Sequence, residues 1–461
     1  MRGRVGGGPC LAVCLLAGCA TGSSAADIKE VRALADERLG SPVRWADEAD
    51  VAATVDSLLV DPLDADRAVR IALVNNPGLL ADFEGLGIAR GDLIQGGLLP
   101  NPHVEGAIRY PHDGEGGSNP EAAVAYELLD VLLIPTRRRV ASAALEQAKM
   151  RVGLAVLHLA GEVRTAFHAV QAARQLLELQ RRIAAAAEVA AELGARQHAG
   201  GNLSALDLGE LQAADHRARL DLAREEMGLQ ERREGLNRLL GLWGRRTTWT
   251  VAAGLPELPS EAVPLEGLES AAVAQRLDLA AAGKETEILA RRIRLAGGTP
   301  YTRVEVGVES EREPGGGALT GPTASMELPL FDRGQGEVAG LMARWMRSRK
   351  RHEALAIQVR SEVRLARERV LRARRRTTHL HEAVLPLRRR MVEAAQRQYN
   401  FMLIGVYRLL RLRQEEYDAH REHIEALADY WRARAELDLA VGRRLSPAPQ
   451  PGGGHHHGGT P

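Results

Sequence analysis

The sequence has few of the features that mark a wide globular core or a helical membrane protein. Aromatic residues make up 3% of the chain, which is low for a large packed core. No stretch after Cys19 reaches the roughly 20 apolar residues that a transmembrane helix requires. The 61 basic and 60 acidic residues nearly cancel, so the chain lacks the basic surface typical of nucleic-acid binding. The composition therefore argues against helical membrane spans and against a nucleic-acid partner.

Cysteine occurs only near the N-terminus, at Cys10, Cys14 and Cys19. Arg2 and Arg4 precede a short apolar stretch there, and this arrangement is typical of an export signal that is later removed. Cys19 alone would remain in the mature chain, which could then form no internal disulfide bond. We therefore expect residues 1–18 to be a signal peptide.

The end of this segment, Leu16-Ala17-Gly18-Cys19, is similar to the lipobox of bacterial lipoproteins. The resemblance implies that the sulfur of Cys19 is acylated, and Ala20 in the next position implies the outer membrane rather than retention at the inner one. The alternative is a plain secretory signal that happens to end in cysteine. One acyl chain binds a membrane only marginally, so the lipid would be part of the anchor rather than all of it.

The rest of the chain is an internal duplication, the feature that organises the fold. We expect a linker over residues 19–64, one repeat over 65–254, a second over 255–442 and a Pro/Gly/His-rich tail over 443–461. The two repeats match at an offset of 200 residues near their strands and 201 near their ends, so the register slips by one residue. Matching pairs include Pro100 and Pro300, Glu127 and Glu327, and Gly241 and Gly442.

Each repeat begins with two segments that alternate polar and apolar residues, at about 103–128 and about 302–330. Alternation of this kind predicts strands with one face in an apolar environment. Gly-rich polar loops separate the paired strands. In the first strand the polar face carries His103, Glu105 and Arg109, and the apolar face carries Val104, Ile108 and Tyr110.

Helical spacing follows in both repeats, with apolar residues three or four apart over about 137–243 and about 336–442. Spacing sustained over so many turns predicts coiled-coil-like helices. A helix of about 60 residues would be about 90 Å long. Short breaks at 199–202 and 400–405 divide each stretch into a long αα-hairpin.

Four strands of this length cannot close into a barrel within one chain, since single-chain outer-membrane barrels start at about eight strands. Open strand edges cannot face lipid. Other copies of the chain must therefore complete the sheet if it lies in a membrane. Two copies would leave little interior, whereas three would give twelve strands around a lumen.

Several segments together resemble the TolC-like family of outer-membrane efflux proteins, over nearly the whole mature chain. The resemblance implies an α+β fold: a trimeric 12-stranded β-barrel with four strands per chain, continued by a long α-helical barrel. It implies the exit duct of a tripartite exporter of small molecules or metal ions, working with a periplasmic adaptor and an inner-membrane pump, without a cofactor. The segments that carry it are 72–77 (ALVNNP), 98–102 (LLPNP), 328–336 (LPLFDRGQG) and 429–437 (DYWRARAEL).

The hairpin tips are the first candidate functional site, because they lie farthest from the barrel and would meet the adaptor. Gly200 and Gly201 also permit a tight turn, a structural role that does not conflict with docking. The candidate contact residues are Gly200, Gly201, Asn202 and Leu203 at the first tip and Met402, Leu403, Ile404 and Gly405 at the second.

The periplasmic gate is the second candidate site. In related ducts acidic residues just after the second tip narrow the pore, but the matching positions here are Arg408 and Arg411. Asp207, the counterpart of Arg408 in the first repeat, keeps a carboxylate. We hypothesise that Asp207 pairs with Arg408 or Arg411 across neighbouring hairpins and holds the closed end. The alternative is that all three are solvated surface charges that contribute at most about 1 kcal/mol.

The remaining candidates are weaker. His455, His456 and His457 in the tail could bind a transition metal weakly, or have no binding role. No catalytic motif is present in the sequence, so we expect no enzyme activity. Two alternative interpretations remain open. One is a periplasmic coiled-coil scaffold or adaptor lipoprotein without a channel, and the other is an envelope hydrolase with additional helices.

Overall fold

The computed structural model describes residues 24–40, 43, 45, 50–110, 112, 117–251, 254–260, 266–298, 303–312 and 316–445. Each repeat contains two short strands and a set of helices, several of them very long. These elements occur in the same order in the two repeats. The N-terminal and first-repeat elements are α1 (Ala25–Leu39), α2 (Val51–Leu59), α3 (Ala65–Asn75), α4 (Pro77–Gln95), β1 (His103–Arg109), β2 (Asn119–Glu127), α5 (Leu128–Ala199) and α6 (Ala205–Leu240). The second-repeat elements are α7 (Leu268–Gln275), α8 (Leu277–Gly298), β3 (Val304–Arg312), β4 (Ala318–Met326), α9 (Gln335–His379), a π-helical turn (Leu380–Val384), α10 (Leu385–Asn400) and α11 (Val406–Val441).

The strands form one antiparallel sheet in the order β1-β2-β3-β4. Val104 pairs with Val124, Val124 with Val308, and Val308 with Pro322, so these apolar residues of all four strands share one face. Leu319 of β4 is an exception, because it pairs with Glu311 on the other face. The alternation expected from sequence is therefore confirmed across the sheet. Since β1 and β4 are the end strands, each has one edge that no other strand of the described residues pairs with.

The first hairpin consists of α5 with 72 residues and α6 with 36. At 1.5 Å per residue α5 is about 108 Å long. It begins at Leu128, directly after β2, and contains Pro135 in its third turn. The expected start near residue 137 was therefore wrong. Pro135 lacks an amide donor but leaves most of the helical hydrogen bonds of this apolar turn intact, so the helix continues through it.

The second hairpin has one extra residue, and the π-helical turn accommodates it. Before this turn, the buried positions of α5 and α9 correspond at an offset of 200 residues, as for Val163 and Val363. After it they correspond at 201, as for Gly194 and Ala395. A π turn contains one more residue than an α turn, so the same helix face stays buried on both sides of it. The one-residue slip in the sequence repeat thus has a structural cause.

The main core lies where the N-terminal helices pack on the middle of α5. Val31 of α1, Ile71 of α3 and Val156 of α5 belong to one buried cluster. The amide of Leu63 donates to the carbonyl of Thr250 over 2.8 Å, which joins the segment before α3 to the end of the first repeat. The residues before the first repeat are thus an integral part of the fold.

Both repeats end their second hairpin helix in the same way. Gly241 and Gly442 cap α6 and α11 with φ angles of 67° and 83°. In the part of the chain that the structure describes, no helix has the length and apolarity to cross a bilayer.

Candidate functional site

The first part of the candidate site is the sheet, whose two faces differ sharply in polarity. Val104, Ile108 and Val308 lie on one face with 76%, 60% and 54% of their surface exposed in the single chain. Exposed β-branched residues in a contiguous row are unusual on a face that meets only water. The opposite face carries the carboxylates Glu105, Glu121, Glu127, Glu305, Glu309 and Glu311.

Two arginines partly neutralise this polar face. Arg109 lies 2.7 Å from Glu121, and Arg303 lies 3.0 Å from Glu127. The six carboxylates therefore exceed these two guanidinium groups. An acidic wall of this kind attracts cations into any water-filled space that it lines.

The first hairpin tip is a tight, polar turn. The amides of Gly200, Gly201 and Asn202 donate back to the last carbonyl groups of α5, and Gly201 has a φ of 76°. Ser204 then caps α6 by accepting a hydrogen bond from the amide of Asp207 over 3.1 Å. The glycines therefore serve the turn itself, as expected from their lack of a Cβ atom.

The second tip has the same backbone turn but different side chains. The amides of Phe401, Met402 and Leu403 repeat the hydrogen bonds of the first tip at an offset of 201 residues. Among the described residues, Met402 is the one non-glycine residue with a positive φ, at 58°. A left-handed conformation costs a residue with a Cβ about 1–2 kcal/mol. Met402 is also 93% exposed, so the turn holds an apolar side chain out into solvent.

The gate candidate Asp207 lies where the two hairpins of the protomer meet. Its carboxylate accepts a hydrogen bond from the Ser204 hydroxyl over 2.6 Å. Tyr407 belongs to α11 of the second hairpin. Its hydroxyl group is shielded from solvent and forms no hydrogen bond of good geometry. Partial burial, followed by the neighbouring carboxylates of Asp207 and Glu210, raises the pKa of Tyr407 above its usual value. The phenol thus stays protonated beside Asp207.

The two arginines of the gate hypothesis have different surroundings. In the described part of this single chain, no ion pair joins Asp207 to Arg408 or Arg411. Arg408 is exposed in the first turn of α11. Arg411 lines a cavity of about 670 Å³ between the two hairpins. The structure of one chain does not test a pair between protomers, so that part of the hypothesis remains a prediction.

A second contact joins the two hairpins farther from the tips. Gln180 of α5 is buried, donates to the carbonyl of Ala218 over 3.2 Å and accepts from Arg421 of α11 over 2.8 Å. The sequence patterns predicted neither this contact nor Tyr407. A usable signal for Tyr407 was its position two residues after the Gly405 break, in a chain with seven tyrosines.

Two sequence-based candidates fall outside the described residues: the lipidation site Cys19 and the histidines His455, His456 and His457. Within the residues that the structure describes, no group of three or more His, Cys, Asp or Glu side chains is arranged to hold a metal ion.

The chain is similar to known outer-membrane and metal-resistance proteins in sequence and in fold. No protein-family model matches the chain. The cobalt-zinc-cadmium resistance protein CzcC of Cupriavidus metallidurans is 23% identical over 394 residues, which are 83% of this chain and 90% of that protein. The CmeC outer membrane channel of Campylobacter jejuni superposes with a TM-score of 0.74 at 14% identity, over 84% of this chain and 87% of the channel. The open MtrE outer membrane channel of Neisseria gonorrhoeae gives a TM-score of 0.68 at 17% identity, over 83% and 90%.

More than four-fifths of this chain and of each of the two channels is aligned. The resemblance predicted from the sequence segments is therefore confirmed: the chain has the fold of the TolC-like outer-membrane efflux channels.

Proposed function

We propose that this protein is the outer-membrane exit duct of a tripartite efflux system that exports small molecules or metal ions. One observation carries the proposal: a sheet with an exposed apolar face, an acidic face and two open edges continues directly into very long helical hairpins. An apolar face suits lipid, an acidic face suits a water-filled lumen, and the hairpins extend the passage across the periplasm.

Three copies of the chain complete the duct. The free edges of β1 and β4 must be paired before the sheet can lie in lipid. Pairing β1 of one protomer with β4 of the next leaves no edge and gives twelve strands from three chains. The alternative function, a periplasmic scaffold, would not explain a sheet with an apolar face exposed on one side and unpaired edges.

Engineered disulfide bonds test this arrangement. Within one chain β1 and β4 are three strand spacings apart, about 14 Å, whereas a disulfide bond needs Cα atoms within about 7 Å. We would combine Cys10→Ser, Cys14→Ser, Cys19→Ser and Ala107→Cys with each of Leu319→Cys, Gly321→Cys and Thr323→Cys, because the register between protomers is free to shift. One combination should give a cross-linked ladder that ends at three chains.

Each single-cysteine variant is the control and should give at most dimers. Species that stop at two chains, or a protein that remains monomeric in every combination, would contradict a closed trimer. Single-channel recording of the same preparation in a planar bilayer then reports whether the assembled protein conducts ions.

The periplasmic end closes, in our proposal, through contacts of Asp207 across hairpins. Tyr407 is its neighbour within the protomer, and the exposed Arg408, or Arg411, is its partner on the adjoining protomer. Opening requires the hairpins to move apart, which separates these contacts in all three protomers together.

Conductance measurements test the gate. Asp207→Asn removes the charge but keeps an acceptor for the helix cap, so a rise in the open fraction would report the latch rather than a loosened helix. Glu192→Gln removes an exposed carboxylate near the same tip and should leave the closed state unchanged. A closed state that is identical in all variants would remove Asp207 from the gate.

The hairpin tips contact the adaptor in this proposal, and the unequal tips divide the task. The exposed apolar tip at Phe401, Met402 and Leu403 supplies the buried area, and the polar tip at Gly200–Leu203 supplies the exposed side-chain amide of Asn202. Ile404 and Gly405 complete the second turn. Met402→Gly relieves the left-handed strain, so the trimer should become more stable while its affinity for the adaptor falls. Unchanged affinity would exclude Met402 from the interface.

The acyl chain on Cys19 anchors the duct in addition to its sheet. Cys19→Ser should therefore still fractionate with the outer membrane, although processing is slower. A variant that becomes soluble as a monomer without detergent would support the scaffold instead of the channel.

A further inference from the structure

A cavity of about 500 Å³ lies between α5 and α8, on the side of the sheet where the helices begin. Its lining combines cationic, hydroxyl and apolar groups, and among the described residues no carboxylate lines it. The lining residues are Leu133, Thr136, Arg139, Arg291, Arg294 and Leu295.

Two of the three guanidinium groups are available to a ligand. Arg291 is held in place, since it forms an ion pair with Glu287 and donates to the carbonyl of Arg139 over 2.8 Å. Arg139 and Arg294 are exposed, and no ion pair of either is found in the described part of the chain. Arginine presents a planar fork of donors that matches phosphate oxygens.

The cavity is close to the end of the sheet. Arg139 is twelve residues after the last residue of β2, which corresponds to about 18 Å along the helix. The other wall, α8, ends at Gly298, shortly before β3 begins at Val304. If the sheet spans the outer membrane, the cavity lies at its periplasmic surface.

One face of α5 leads from the sheet to the cavity. Leu128, Leu132, Thr136 and Arg139 are spaced by four, four and three residues, which places them along one side of the helix. Leu132 is 69% exposed and Leu128 is 45% exposed. The stripe is apolar toward the sheet and cationic away from it, which is the polarity gradient of a lipid with its acyl chains in the bilayer and its headgroup below.

We propose that this cavity binds the phosphate headgroup of an anionic phospholipid of the inner leaflet of the outer membrane. The inference rests on the proposed function, because only a duct inserted through its sheet brings the cavity to that surface. Arg139 and Arg294 bind the phosphate oxygens, Thr136 donates its hydroxyl, and Leu128 and Leu132 contact the acyl chains. A free phosphate would use the arginines but would leave the leucine stripe exposed.

Lipid binding to the detergent-solubilised full-length protein tests the site. The affinities for phosphatidylglycerol and phosphatidylcholine are measured by native mass spectrometry, and inorganic phosphate is added as a competitor. Arg139→Gln with Arg294→Gln should weaken phosphatidylglycerol binding about 30-fold, since each arginine that contacts the phosphate group in this cavity contributes about fivefold.

The matched control is Arg138→Gln with Arg292→Gln, which removes two exposed arginines from the same helices outside this cavity. The control should bind phosphatidylglycerol as the unsubstituted protein does. Equal affinity for both lipids, equal losses in both double variants, or full displacement by millimolar phosphate would each overturn the lipid site. Bilayer conductance of the same preparations distinguishes failure of the lipid site from failure of the proposed channel function. A protein that conducts ions but shows no lipid preference refutes the lipid site alone. A protein that never conducts ions refutes the duct.

Discussion

Asp27 is the centre of a buried ionic cluster that fixes α1 to the repeat, and replacing it gives the sharpest test of the fold. Its side chain is 2% exposed. The carboxylate lies 2.5 Å from the Arg90 guanidinium and 3.1 Å from the Lys149 ammonium group. Asp27→Asn keeps the shape of the side chain and removes the charge that these two cations face.

The structure sets the size of the effect. Breaking a buried ion pair from one side costs about 3–5 kcal/mol, because a charge is left without its partner. Arg90 is one-quarter exposed and can regain water. Lys149 keeps Glu30 at 2.5 Å and Glu146 at 3.0 Å, and these carboxylates help to hold its pKa above the usual value despite burial. We therefore expect the lower end of the range, about 3 kcal/mol.

Hydrogen exchange of the α1 amides measures this loss, since it reports the free energy of local opening. A loss of about 3 kcal/mol corresponds to exchange that is roughly 150-fold faster. Glu37→Gln is the control: this exposed carboxylate on the same helix should change exchange by less than about threefold, as surface substitutions do. If Asp27→Asn behaves like Glu37→Gln, the cluster does not hold α1 in place.

Three further predictions concern pH, the helix ends and the π turn. Burial lowers the pKa of His168 below its usual value near 6.5, so the unfolded chain takes up the proton more readily. Thermal stability should therefore be full at pH 7.5 and fall below pH 6.5 by at most about 1.4 kcal/mol per pH unit, a loss that His168→Phe should reduce. Gly241→Ala should lower the melting temperature more than Gly442→Ala: a Cβ at the first position would lie 2.5 Å from a backbone oxygen of α3, whereas at the second its nearest neighbour is a side-chain carbon at 3.2 Å. Equal losses would show that the positive φ alone matters. Deleting Ala383 should return the π turn to α-helix and preserve trimers on native gels. Deleting Ala185 from α5 should instead rotate the residues that follow it by about 100° and abolish trimer assembly. If both deletion variants still formed trimers, the π turn would not be needed to keep the buried face in register.

The unequal hairpins give the protein two kinds of contact from one duplicated unit. The tips share a backbone turn but differ in polarity, and the π turn occurs in the second hairpin alone among the described residues. Duplication therefore supplies the common framework, while the local differences at Met402 and Tyr407 supply the candidate docking and gate contacts.

The amino-acid sequence by itself determined the order of the elements, because period-two and helical spacing are local properties that the chain repeats twice. It also determined the breaks at the hairpin tips, where the glycines end the first long helix, and the resemblance that identifies the fold. The start of α5 was missed, since proline usually marks a boundary and here does not.

Only the tertiary structure decided which groups meet across the repeats. Residues as far apart as Gln180 and Arg421, Asp207 and Tyr407, or Asp27 and Lys149 lie together because packed helices bring distant segments into contact, and no local pattern encodes such pairs. The same is true of the π turn: the sequence showed that one residue is extra, but only the burial of matching faces showed where the helix accommodates it.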